Sequence, residues 1–179
     1  MNNNHKTIPN SSPSQQLSLR LNRSLKVGTT LNLMVIYEDT ATRQWARQIY
    51  DDVNPALRRA AYATWWKIGE FSSPGVLAGA VSTAMRADVV VVATRATESL
   101  PLPFYYWVDS WLPHRWASGG LLVALLGVPE PPIPPAGRVR SYLRALEQKS
   151  HMEFVLEERA FLTALTSEPQ LVPSDLTHQ

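Results

Sequence analysis

The first strong apolar run of the chain places Leu31, Leu33, Val35 and Tyr37 in alternation with Met34 and Ile36, and it stops abruptly at Glu38 and Asp39. Apolar residues on both parities mark a central strand buried on two faces. Asp88-Val89-Val90-Val91-Val92-Ala93-Thr94 states the same pattern more strongly, because four branched Cβ atoms in a row favour an extended backbone. The segment Leu121 to Gly127 (LLVALLG) predicts another such strand. Softer strand signals come from Tyr62, Thr64, Trp65 and Trp66, and from Met152, Phe154 and Leu156 around Val155.

Helical periodicity fills the intervals. Ala41, Trp45, Ile49 and Val53 recur every fourth residue behind an N-cap at Asp39 or Thr40, and the helix they predict ends near Asn54-Pro55. Ser73-Pro74 is an N-cap followed by proline at the first helical position, opening a helix to about Ala87. Phe104, Trp107, Val108, Trp111 and Leu112 share a third helical face, and Val139, Tyr142, Leu143 and Leu146 a fourth. A short final helix is expected over Ala160 to Leu165, and the proline-rich segment Pro129 to Gly137 is expected to be a stiff loop.

Strands alternating with helices require crossovers, and therefore a mostly parallel sheet covered on both faces. Right-handed crossovers favour a three-layer α/β/α sandwich with five parallel strands in the order 2-1-3-4-5. Ligands of such sheets bind beyond the carboxyl ends of the strands, at the switch point between the first and third strands. Two loops meet there. The candidate binding residues are consequently Asp39, Thr40, Thr42 and Arg43 in the first loop, and Thr94, Arg95, Glu98 and Ser99 in the second.

Composition trims the alternatives. With 45% hydrophobic and 18% charged residues in 179, one folded domain is expected. Residues 29–166 form it, between a loosely packed basic tail (1–28) and a flexible carboxyl-terminal tail (167–179). In the first tail Leu17, Leu19, Leu21, Leu25 and Val27 alternate as an edge strand or a lead-in to the core would. The formal charge is +2, yet residues 1–37 hold Lys6, Arg20, Arg23 and Lys26 and no acid. The basic excess thus lies in a polar tail rather than on a folded face, which argues against nucleic acid as a partner. No apolar stretch approaches the length of a membrane span and the amino terminus has no apolar secretory segment, so a cytoplasmic location is expected. Without cysteine there is no thiolate chemistry. The four histidines lack partners at metal-ligand spacing, and no P-loop, G-x-S-x-G elbow or G-x-G-x-x-G is present.

The order of elements resembles the flavodoxin-like superfamily. The stretch ADVVVVAT, RATESLPLP and FYYWVDSWL, with Asp109, Trp111 and Leu112, is similar to the NADPH-dependent FMN reductase branch. The resemblance implies FMN as cofactor and a flavin-dependent NAD(P)H oxidoreductase as activity. The loop after the first strand departs from it. Tyr37-Glu38-Asp39-Thr40-Ala41-Thr42-Arg43 has two threonines but no glycine, and two carboxylates stand where a phosphate would bind. That departure favours a non-enzymatic binding or regulatory module with a degenerate cofactor site. The acidic pair also resembles receiver domains, which hold Mg²⁺ with such residues. The phosphoacceptor aspartate is missing after the third strand, so the resemblance implies a pseudo-receiver; a helix N-cap is the plainer role for the pair.

Six of the 16 aromatic residues fall between Phe104 and Trp116, more than one core-facing stripe would bury. Tyr105, Tyr106, Trp107 and Trp111 are therefore candidates for a subunit interface, and a homodimer or another protein partner is expected.

Overall fold

Branched side chains dictate the centre of the molecule. The computed structural model describes residues 13–24, 30–58, 60–96, 99–115, 119–130 and 136–162. Its strands are β1 (Leu31–Tyr37), β2 (Ala61–Lys67), β3 (Val89–Arg95), β4 (Leu121–Glu130) and β5 (Glu153–Leu162). All neighbours pair in parallel, in the expected order β2-β1-β3-β4-β5. The valine run lies where its composition demands, since β3 is flanked by strands on both sides and Val89, Val90 and Val92 are almost wholly buried. Removing each such side chain from water stabilises the fold by about 1.5–3 kcal/mol.

The helices are α1 (Pro13–Ser24), α2 (Thr40–Val53), α3 (Pro74–Arg86), α4 (Leu102–Trp111) and α5 (Ala136–Ser150). Crossover handedness assigns them to faces. The β1-to-β2 step runs one way along the sheet and the three later steps run the other way, so right-handed connections put α2 on one face and α3, α4 and α5 on the opposite one. The two cores obey this. Met34, Ile36, Val90, Val92, Leu122 and Leu126 pack with α3, α4 and α5, whereas Leu33, Val35, Val89, Val123 and Leu125 pack with Trp45 and Ala46 of α2.

One crossover helix cannot cover five strands, and α1 supplies the missing cover. Leu17 and Leu21 are buried against the same core as Leu33 and Val35. Asn22 fixes the helix by donating to the Ala56 carbonyl at 3.0 Å and accepting the Arg58 N–H at 3.2 Å. Of the two readings of Leu17, Leu19 and Leu21, the edge strand is therefore corrected to a helix, in which Leu19 is 67% exposed. Two further boundaries differ. Strand β4 continues through Pro129 and Glu130, paired with Phe161 and Leu162, where the stiff loop was expected to begin. Strand β5 accordingly occupies 160–162, where the final helix was expected; residues 163–165, like both tails apart from 13–24, lie outside the described residues.

Candidate functional site

Sheet register brings the two switch-point loops together. Tyr37 lies opposite Ala93, so the next residues, Glu38 and Thr94, meet at the carboxyl end of the sheet. The Glu38 N–H donates to the Ala93 carbonyl at 3.1 Å, prolonging the ladder by one bond. The chain then turns into α2 at Asp39, the N-cap, whose extended backbone precedes a reciprocal capping box. Asp39 Oδ1 accepts the Thr42 N–H at 2.8 Å, and Thr42 Oγ1 accepts the Asp39 N–H at 2.9 Å. These bonds satisfy two otherwise orphaned donors at the helix start.

The carboxylates are engaged from the other loop as well. Glu38 Oε2 accepts the Thr94 hydroxyl in a short hydrogen bond and the Arg95 N–H at 2.9 Å. Asp39 Oδ2 accepts Arg95 Nε at 2.6 Å, and the Arg95 guanidinium lies 5.5 Å from the centre of the Phe161 ring. Burial by itself would raise the Asp39 carboxyl, but the bonds from the Thr42 N–H, the Arg95 guanidinium and the Thr42 hydroxyl together outweigh it and hold the group below its ordinary 3.8.

Of the candidate residues, the structure therefore unites Asp39, Thr42, Thr94 and Arg95 in one network. Thr42 and Thr94 are fully buried and spend their hydroxyls on it. Thr40 is exposed at the first position of α2, Arg43 is exposed one position beyond Thr42, and Ser99 is exposed in the second loop. Glu98 lies outside the described residues. Glu38, the hub of the network, was not among the candidates. The sequence marked it as one of the acidic pair at the mouth of the first loop, but gave it no partner.

The site does not fit FMN. Three donors at the switch point, the Thr42 N–H and hydroxyl after β1 and the Thr94 hydroxyl at the end of β3, already serve carboxylates of the chain. No glycine opens the loop for a close backbone approach. Among the described residues no three histidine, aspartate or glutamate side chains converge on a position that would hold a metal ion.

The aromatic helix divides differently from expectation. Trp107 and Trp111 are 1% and 2% exposed and belong to the core of the chain itself, which corrects their assignment to an interface. Trp107 stacks on Phe71 at 5.8 Å and meets Trp111 at 5.2 Å, so the aromatic surplus is buried ring against ring. Tyr105 is half-buried, accepts the Leu100 N–H at 3.2 Å and packs edge-on against Tyr142 at 4.9 Å. Burial, with Asp109 and Tyr105 adding smaller contributions, pushes the Tyr142 phenol up to about 12. Only Tyr106, 58% exposed beside Leu102 at 61%, faces outward among the four.

No protein-family model matches the chain, nor does any curated protein. Among solved structures it is similar to a flavodoxin of Streptococcus pneumoniae TIGR4, at 13% identity and TM-score 0.48 over 75% of this chain and 84% of that one. It is also similar to an azoreductase of Bacillus anthracis strain Sterne, at 12% identity and TM-score 0.45 over 73% of this chain and 87% of the other. The strand order and the helix layers speak for themselves. The architecture is flavodoxin-like. Within that architecture the switch point of this chain is crossed by its own ion pair and hydrogen bonds. The described helices include none long and apolar enough to cross a membrane.

Proposed function

We propose that the protein is a non-enzymatic binding or regulatory module, built on a flavodoxin-like sandwich whose switch point is closed by its own side chains. The single observation behind this reading is the Glu38 carboxylate, one oxygen of which takes both the Thr94 hydroxyl and the Arg95 N–H. Asp39 caps α2 and is paired to Arg95, so both carboxylates at the mouth of the site have partners within the chain. An entering phosphate would meet two carboxylates, each repelling it by about 1–4 kcal/mol at 4 Å across the range from water to a protein surface. Arg95 already spends its Nε on Asp39.

The test is spectroscopic. The full chain as purified is expected to be colourless, and titration with FMN is expected to give no saturable quenching of flavin fluorescence that Thr40→Ala weakens. A yellow protein, or micromolar FMN affinity weakened by Thr40→Ala, would overturn the proposal in favour of a flavin-dependent oxidoreductase.

A further inference from the structure

Outside the switch point, an open cleft of about 270 Å³ lies between α2 and the edge strand β2, lined by Arg43, Gln44, Arg47 and Trp65. Two arginines one helical turn apart share one face of α2, and a tryptophan forms the wall opposite. Arg43 is exposed, lies 5.6 Å from the centre of the Tyr37 ring, and has no carboxylate partner among the described residues. Arg47 is paired with Asp51, but both bonds fall on Nε at 3.0 Å, which leaves its two terminal nitrogens for another acceptor. Its guanidinium lies 5.9 Å from the Trp65 ring, so cation and indole border the same space. The lining carries two positive charges, one amide and no acid.

We infer that this cleft binds a planar-ring phosphate monoester of mononucleotide size, with the ring against Trp65 and the phosphate between Arg43 and Arg47. The volume sits just below that of ordinary small-ligand pockets, which start at about 300 Å³, and so matches a small ligand. Guanidinium forks match phosphate oxygens bidentately, and an indole face accepts any base by stacking. The inference deepens the proposed binding function by naming its ligand class, and it rests on that reading only for this purpose.

Isothermal titration of the full chain with AMP, adenosine and inorganic phosphate tests it. AMP is expected to bind saturably with one site per chain, and at least about tenfold tighter than either half, as paired ionic and stacking contacts imply. Arg43→Gln should reduce AMP to the affinity of adenosine, and Trp65→Leu should reduce it to the affinity of inorganic phosphate, while the melting curve by circular dichroism confirms that both variants fold. Absence of saturable AMP binding at millimolar concentration, or a fall in only one of the two variants, overturns the inference. AMP affinity lowered by Thr40→Ala, with Arg43→Gln unaffected, would place the ligand at the switch point and overturn the closed-site reading as well.

Discussion

The bond between Glu38 and Thr94 is the most direct handle on the closed switch point. Thr94→Val preserves the shape of a fully buried side chain and deletes the hydroxyl that donates to Glu38 Oε2. A hydrogen bond to a charged group contributes about 1.5–3 kcal/mol, and Glu38 is half-buried, so water repairs part of the loss. Destabilisation of about 1–2 kcal/mol is expected. Glu38→Ala strands a buried hydroxyl as well as the Arg95 N–H, and should cost about 2–3 kcal/mol. In the double variant the two losses overlap, giving a coupling of about 1–2 kcal/mol in a double-mutant cycle. Urea unfolding followed by circular dichroism and tryptophan fluorescence measures all four corners. If the carboxylate occupies an anion's place, inorganic phosphate should also raise the midpoint of Glu38→Ala more than that of the wild type. A coupling below about 0.3 kcal/mol, within the additivity expected of independent sites, would refute the reasoning.

Asp39→Ala removes an N-cap and a half-exposed partner of Arg95, and should cost about 1–2 kcal/mol, seen as a lower urea midpoint. Because the folded state holds the Asp39 carboxyl below 3.8, its contribution is complete above that value and fades as pH falls through it and then through the lower folded value. The stability gap between wild type and Asp39→Asn should accordingly shrink between about pH 7 and about pH 3; a gap that widens contradicts the assignment. At Gly127 a Cβ would stand 1.9 Å from the Phe161 ring, which itself meets Trp45 edge-on at 5.7 Å. Gly127→Ala should therefore destabilise by about 1–3 kcal/mol through overpacking, yet be nearly neutral in a Phe161→Ala background; equal costs in both backgrounds would clear Phe161. A homodimer through α4 would rest on Leu102 and Tyr106, and Tyr106→Glu should dissociate it in sedimentation equilibrium; a 20 kDa species in the wild type at micromolar concentration removes the expectation of a dimer.

How far the sequence disclosed all this varies by element, for physical reasons. Strand β3 was legible because four adjacent valines suit little other than a doubly covered strand, and α2 because its apolar stripe and its cap agree. The helical state of α1 was not, since Leu17 and Leu21 fit both a two-residue and a four-residue period. What decides between them is tertiary, namely the sheet face that α2 leaves uncovered. Strand β5 hid its length behind Glu157, Glu158 and Arg159, charges an edge strand tolerates because it has a neighbour on one side only. Trp107 and Trp111 looked surplus to one stripe until Phe71, from the turn before α3, came to stack on Trp107, which in turn meets Trp111.

At the switch point the meeting of the two loops was legible, but the bond between Glu38 and Thr94 was not. Glu38 and Thr94 are 56 residues apart, and nothing local relates them; only the pairing of Tyr37 with Ala93 places one beside the other. Once that register is set, the chemistry follows from counting charges. Two carboxylates face one guanidinium, and neither acid is left without a donor, because the Thr94 hydroxyl and two backbone N–H groups complete the set. Removing either acid would expose donors aimed at a common point, which is the arrangement an open anion site requires. In this chain the same geometry is satisfied internally. Outside that network Arg43 and the terminal nitrogens of Arg47 lie along α2 at the Trp65 cleft.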